Sequence, residues 1–166
     1  MTPRASAVAL GAGGLGQFAI QYLKLLTGTR VVAVDPSATK RARALELGAD
    51  EALDPDALDQ TARVVLDLVG SDRTLALATR LVERAGVVVQ IGEAGGRILF
   101  GLDAIPHEVH LTSSIWGSLS DLAAVLELVR RGDVRWHIET LPLAQVNEGL
   151  VRLRRGDVLG RLVVVP

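Results

Sequence analysis

Short unbroken apolar runs alternate along this chain with stretches whose apolar residues recur at helical spacing. The runs are Ala7-Val8-Ala9-Leu10, Val31-Val32-Ala33-Val34, Val64-Val65-Leu66-Asp67-Leu68 and Val87-Val88-Val89-Gln90-Ile91. Apolar residues at successive positions suit strands covered on both faces. After the first run, Leu15, Phe18, Ala19, Tyr22, Leu23 and Leu26 fall at helical spacing, and Gly28 is placed to end that helix. Ser37 can cap a second helix running to about Leu47, where Gly48 stops it. Glu51 to Leu53 reads as a short third strand, and a further helix runs from about Arg73 to Arg84. The polar stretch 54–61 carries no clear pattern. Strands and helices in strict alternation predict an α/β fold: a doubly wound parallel six-stranded sheet with helices on both faces, order 3-2-1-4-5-6.

From Gly92 the alternation loosens. Gly95-Gly96 and the run 97–100 suggest an excursion from the sheet before Leu111 to Trp116 makes a sixth strand. Ser118 with Asp121 forms an approximate capping box for a helix through Arg131, whose expected buried face is Leu122, Val125, Leu126 and Val129. A last helix, Leu143 to Arg154, leads into a closing strand, Leu162 to Val165. Arg130-Arg131-Gly132-Asp133-Val134 recurs as Arg154-Arg155-Gly156-Asp157-Val158. Both copies read as helix ends, with arginines at the negative end of the dipole and glycine in the left-handed cap.

The first strand pours into a glycine-rich turn. Gly11, Gly13 and Gly16 hold the G-x-G-x-x-G spacing, with Gly14 in addition. In a dinucleotide site the first glycine permits the tight turn, the second lets backbone approach the pyrophosphate, and the third lets helix pack on strand. The helix opening at about Gly14 would aim free N–H groups and its dipole at the phosphates. The second strand finishes on Asp35, close to the roughly 20-residue distance expected of the carboxylate that holds the adenosine ribose.

The 166 residues fit one domain, 1–166, large enough for a real core. A net charge of −1 gives no footprint for nucleic acid or an anionic membrane. The chain has no cysteine, which excludes disulfides and thiolate metal sites built from these residues. No apolar segment is long enough to span a bilayer, so the expected setting is cytoplasmic. His107-Glu108-Val109-His110 places its histidines three apart in a strand-like context, on opposite faces. There is no Gly-x-Ser-x-Gly elbow, and the glycine turn lacks the Lys-Ser/Thr of a P-loop. Tyr22, the only tyrosine, has Leu26 where a short-chain reductase needs lysine. Asp67 follows an apolar strand near the crevice and reads best as a hydrogen-bonded strand-end carboxylate.

Several motifs taken together resemble the coenzyme domain of medium-chain, zinc-dependent alcohol dehydrogenases. They are Gly11 to Gly16, Val34-Asp35-Pro36, Leu47-Gly48-Ala49-Asp50, Leu66 to Gly70, Ile105-Pro106, Ser114-Ile115-Trp116-Gly117 and Gly160-Arg161-Leu162-Val163. The resemblance implies that the amides of Gly13, Gly14 and Leu15 meet the pyrophosphate and that Arg161 faces it. Asp35 and Lys40 would reach the ribose, and the carboxylate would favour NAD (NADH) over NADP by like-charge repulsion. Leu68, Val69 and Ser71 would border the adenosine pocket, while Ile91, Gly92, Glu93, Ile115 and Trp116 would hold the nicotinamide end. The family keeps its catalytic zinc ligands in a domain preceding this one, so no zinc is expected in this chain and a missing catalytic domain is. The region between Asp50 and Val64 is shorter than in the family, as if a helix had been trimmed.

The resemblance implies hydride transfer between alcohols and aldehydes or ketones in the full enzyme. For this chain it implies NAD(H) binding without turnover. The alternatives are a stand-alone NAD(H)-binding regulatory or interaction module, or a reductase completed by a catalytic domain in trans. A homodimer through the edge of the sixth strand is also expected, since an uncovered edge invites pairing.

Overall fold

The first strand, β1 (Ala5–Leu10), lies between β2 (Val31–Val34) and β4 (Ala62–Asp67), and β3 (Glu51–Leu53), β5 (Val82–Gln90) and β6 (His110–Ser113) extend the sheet outward. The order is β3-β2-β1-β4-β5-β6 and every pairing is parallel. This computed structural model describes residues 5–166. Helices α1 (Gly16–Thr27) and α2 (Ala38–Glu46) pack on one face and α3 (Asp72–Leu81) on the other. Successive residues of β1 therefore feed two cores. Val8 and Leu10 join Leu77, Ala78 and Leu81 of α3, whereas Ala9 joins Ile20 of α1 and Ala44 of α2. That two-sided burial explains the unbroken apolar runs.

Local signals place the element ends. Ser37 caps α2, and its hydroxyl accepts from the Lys40 amide. Ser71 and Thr74 form a capping box at α3. Gly28 takes the left-handed conformation just past α1, as its placement predicts, and Gly132 and Gly156 do so past α4 (Leu119–Arg130) and α5 (Val146–Arg155), as the recurring Arg-Arg-Gly-Asp segments predict. Only a 3-10 turn, Pro55–Ala57, bridges β3 and β4.

Four expectations are corrected. β5 begins at Val82, directly after α3, because Ala62 faces Val82 while Val64 faces Val87, and the intervening residues bulge through Ala85 at φ 55°. β6 stops at Ser113: Ser114 N–H donates to Gln90 O at the last residue of β5, and among the described residues no further ladder bond continues to Ile115 and Trp116. The apolar face of α4 is not buried: Leu122 is 53% and Leu126 57% exposed. On α1 the buried line is Gly16, Gln17, Ile20 and Gln21, while Leu15 and Leu26 are exposed.

The closing strand β8 (Arg161–Val165) stands apart from the main sheet. It pairs in parallel with β7 (Ile138–Pro142) in a separate two-stranded sheet, with α5 as the crossover. The sequence of β7, Ile-Glu-Thr-Leu-Pro, has no apolar run to announce it.

Candidate functional site

The strand order reverses at β1, so a crevice opens between the carboxyl ends of β1 and β4, where ligands sit in open α/β sheets. Gly11 turns the chain there at φ 95°, and its N–H donates to Val34 O at 2.8 Å. A Cβ on Gly11 would lie 2.7 Å from Val69 Cγ2, and one on Gly16 only 2.1 Å from Gly11 O. Those two glycines seat α1 against the turn. Gly13 differs, since a Cβ there would meet nothing within 4 Å. Among the described residues no acceptor meets the amides of Gly13, Gly14 and Leu15. The turn thus presents free donors at a helix N-terminus on its open side.

Asp35 sits at the tip of β2, buried, with its carboxylate fixed to the glycine turn. Oδ2 accepts from Ala12 N–H and Oδ1 from Ser37 N–H, both at 2.9 Å. Its main-chain oxygen accepts from Arg41 Nη1 at 2.7 Å, and the same nitrogen donates to Asp54. Each carboxylate oxygen keeps a lone pair for a further donor. Beside it lies a cleft of ≈ 260 Å³ lined by Gly11, Asp35, Lys40, Pro55, Val69 and Arg73, among others. Pro55, Arg73 and Thr74 carry no site signal in the residue pattern, and only the Ser71-to-Thr74 cap spacing could have located the α3 terminus here.

On the other side of the turn, Gly14, Leu15, Leu68, Gly149 and Arg161 line a groove of ≈ 340 Å³. A Cβ on Gly14 would lie 2.9 Å from Gly160 O and 3.0 Å from Arg161 Nε, so the start of β8 leans directly on the glycine turn.

Asp67 organises the floor. It is 0% exposed, and its Oδ1 accepts from the amides of Val69 and Gly70 at 2.9 Å. Its main-chain oxygen accepts from Ile91 and Gly92 at 2.7 and 3.0 Å. Asp67 is therefore the strand-end carboxylate expected, and it joins the ends of β4 and β5. Gly92 packs so closely that a Cβ would sit 2.2 Å from Val69 C. Ser71 uses its hydroxyl in the α3 cap. Glu93 is exposed, and Ile115 and Trp116 project from beyond β6, Trp116 at 92% exposure with φ 60°. The structure thus gathers Gly11, Asp35, Lys40 and Val69 at one cleft and Gly14, Leu15, Leu68 and Arg161 at the adjoining groove. Ile115 and Trp116 line neither.

Among the described residues there is no group of three His, Asp or Glu side chains able to hold a metal ion. No helix among them is long and apolar enough to cross a membrane.

A doubly wound parallel sheet with a glycine turn at its order reversal defines a Rossmann-type α/β domain. Residues 14–131 match the family described as zinc-binding dehydrogenase, and the chain belongs to that family. The D-arabinose 1-dehydrogenase (NADP(+)) of Saccharolobus solfataricus is 34% identical over 167 residues, spanning 94% of this chain and 48% of that enzyme. An alcohol dehydrogenase of Geobacillus stearothermophilus is 32% identical over 165 residues, with 93% and 48% covered. Among solved structures, the alcohol dehydrogenase of Aeropyrum pernix superposes with a TM-score of 0.89 at 31% identity, over 98% of this chain and 51% of that one. The acetophenone reductase of Geotrichum candidum, solved with NAD, gives 0.89 at 30% identity over 98% and 48%. The chain spans about half the length of the curated relatives it matches.

Proposed function

We propose that this chain is the NAD(H)-binding half of an alcohol dehydrogenase of the zinc type and does not turn over by itself. The observation that carries the reading is the carboxylate of Asp35, fixed at the β2 tip by the Ala12 and Ser37 amides beside an open glycine turn. The residues present fit a dinucleotide. The free amides of Gly13, Gly14 and Leu15, with Arg161 opposite, suit a diphosphate. Asp35 and Lys40 take the ribose hydroxyls, and Leu68, Val69 and Ser71 border the adenosine. Ile91, Gly92, Glu93, Ile115 and Trp116 serve the nicotinamide end. When bound, the cofactor supplies or accepts a hydride. The protein's own part is to orient it, with the Asp35 carboxylate opposing a 2′-phosphate.

The described residues do not fit a catalytic zinc. In this reading the metal and the alcohol are held by the further polypeptide that accounts for the relatives' greater length. The exposed edge of β6 is assigned to pairing with its counterpart in a homodimer.

Calorimetric titration with NADH and NADPH, on the protein and on Asp35→Ala, tests the reading. NADH should bind more tightly, and the substitution should narrow the gap. Equal affinities, unchanged by the substitution, remove Asp35 from the site.

A further inference from the structure

The buried face of α1 carries two glutamines where an amphipathic helix would carry aliphatic residues. Their partners lie far along the chain. Gln17 Oε1 accepts from His137 N–H at 2.9 Å. Gln21 pairs with the main chain of Arg135 as a neighbouring strand would: Oε1 accepts from its N–H at 2.8 Å, and Nε2 donates to its oxygen at 2.7 Å. Gln21 Nε2 also donates to Gln17 O at 2.6 Å.

Gln17 Nε2, by contrast, is buried without a partner among the described residues. Leaving a buried donor unpaired is costly, so packing alone does not account for a glutamine here. The oxygen is the functional end. His137 in turn accepts from Arg161 N–H at 3.0 Å through its main-chain oxygen, and Arg161 Nε lies 3.0 Å from where a Cβ on Gly14 would stand.

We infer that Gln17 and Gln21 are positioning residues that hold Arg161 over the glycine turn, through the main chain of residues 135–137. This rests on the dinucleotide reading above and extends it. The helix that begins at the phosphate turn also fixes, from its buried side, the cation that closes that turn. Arg161 is exposed and has a long side chain, so without the clamp its ordering would have to be met when the ligand binds.

The test is a binding cycle on Gln17→Met, Gln21→Met, Arg161→Ala and the double variant Gln17→Met/Arg161→Ala, each titrated with NADH, ADP-ribose and, by competition, adenosine. Each glutamine variant should weaken NADH and ADP-ribose about fivefold, the factor for one immobilised long side chain. Adenosine, which has no diphosphate, should bind unchanged. The double variant should bind NADH no more weakly than Arg161→Ala alone, as residues acting in series are not additive. Should Gln17→Met fail to fold, Gly160→Ala disturbs the same link from the other side, because its Cβ would lie 2.3 Å from His137 O. It too should weaken NADH and spare adenosine.

Additive losses, equal losses for adenosine, or glutamine variants that bind NADH like the parent would each overturn the clamp while leaving the dinucleotide site intact. A parent chain that binds neither NADH nor ADP-ribose overturns the dinucleotide reading itself, and the clamp with it.

Discussion

Gly13 and Gly16 are three residues apart in one turn, yet a methyl group added to each meets opposite surroundings. At Gly16 it would be driven into Gly11 O, so Gly16→Ala should lower stability by about 1–3 kcal/mol, the usual cost of overpacking. At Gly13 it would enter open space, so Gly13→Ala should shift stability by less than about 0.5 kcal/mol while weakening NADH. Thermal melts and calorimetry on the two variants separate a packing glycine from a ligand-facing one.

A second residue-scale prediction concerns Asp50. Burial pushes its carboxyl up, but the Val31 amide, Lys24 and Arg30 outweigh this and hold it below the ordinary carboxylate value. Val31 N–H donates to it at 2.7 Å and Lys24 Nζ at 2.9 Å, tying the last turn of α1 to the start of β2. A carboxyl depressed in the folded state stabilises above its unfolded value of about 3.9 and loses that contribution as pH falls through the folded value. Asp50→Asn should therefore melt lower at pH 7 and converge with the parent as pH falls through the depressed folded value. The carboxylate is more than a third exposed, so the gap should stay under about 1 kcal/mol.

Among the elements, β3 and β6 are the two edges of the large sheet, and β6 is the edge assigned to pairing. Ser114 N–H points to Gln90 O, and alternation along a strand leaves the amide of Ser113 facing outward. Proline is tolerated on an edge where its missing N–H would face solvent. Ser113→Pro should thus keep the parent's circular dichroism but sediment as a monomer at micromolar concentration, where the proposed edge pairing requires the parent to sediment as a dimer. A parent that sediments as a monomer removes the pairing assigned to this edge.

The elements also differ in how far the sequence announced them. The large sheet was legible because β1, β2, β4 and β5 are covered on both faces and read as continuous apolar runs. The glycine turn and Asp35 were legible because their chemistry fixes short local spacings. β7 was not, because a strand of a small two-stranded sheet needs no apolar run. The exposure of α4 was hidden too, since its periodicity shows that an apolar face exists without saying whether anything in this chain covers it. Gln17 and Gln21 read as neutral helix residues, and only a fold that brings in partners 120 and 114 positions away reveals their use.

For the molecule as a whole, the dominant fact is that it spans about half of its relatives. Apolar residues exposed on α4, α5 and β8 include Leu122, Leu126, Leu153 and Val164, and contiguous exposed apolar surface marks sites of interaction. Alcohol oxidation by this chain alone, with NAD and added zinc, should not exceed the buffer blank when followed by NADH absorbance. Robust turnover would show that the chain is complete as a catalyst.

The contact between Gly14 and Arg161 also has a bearing on biosynthesis. The turn is synthesised well before its cation, which lies 147 residues further on (161 − 14), so its strand neighbours can join it while translation continues. At about 5–20 residues per second, the delay is on the order of ten seconds. Throughout that interval the glycine turn lacks Arg161, so in the dinucleotide reading cofactor capture would wait for β8 rather than for the large sheet.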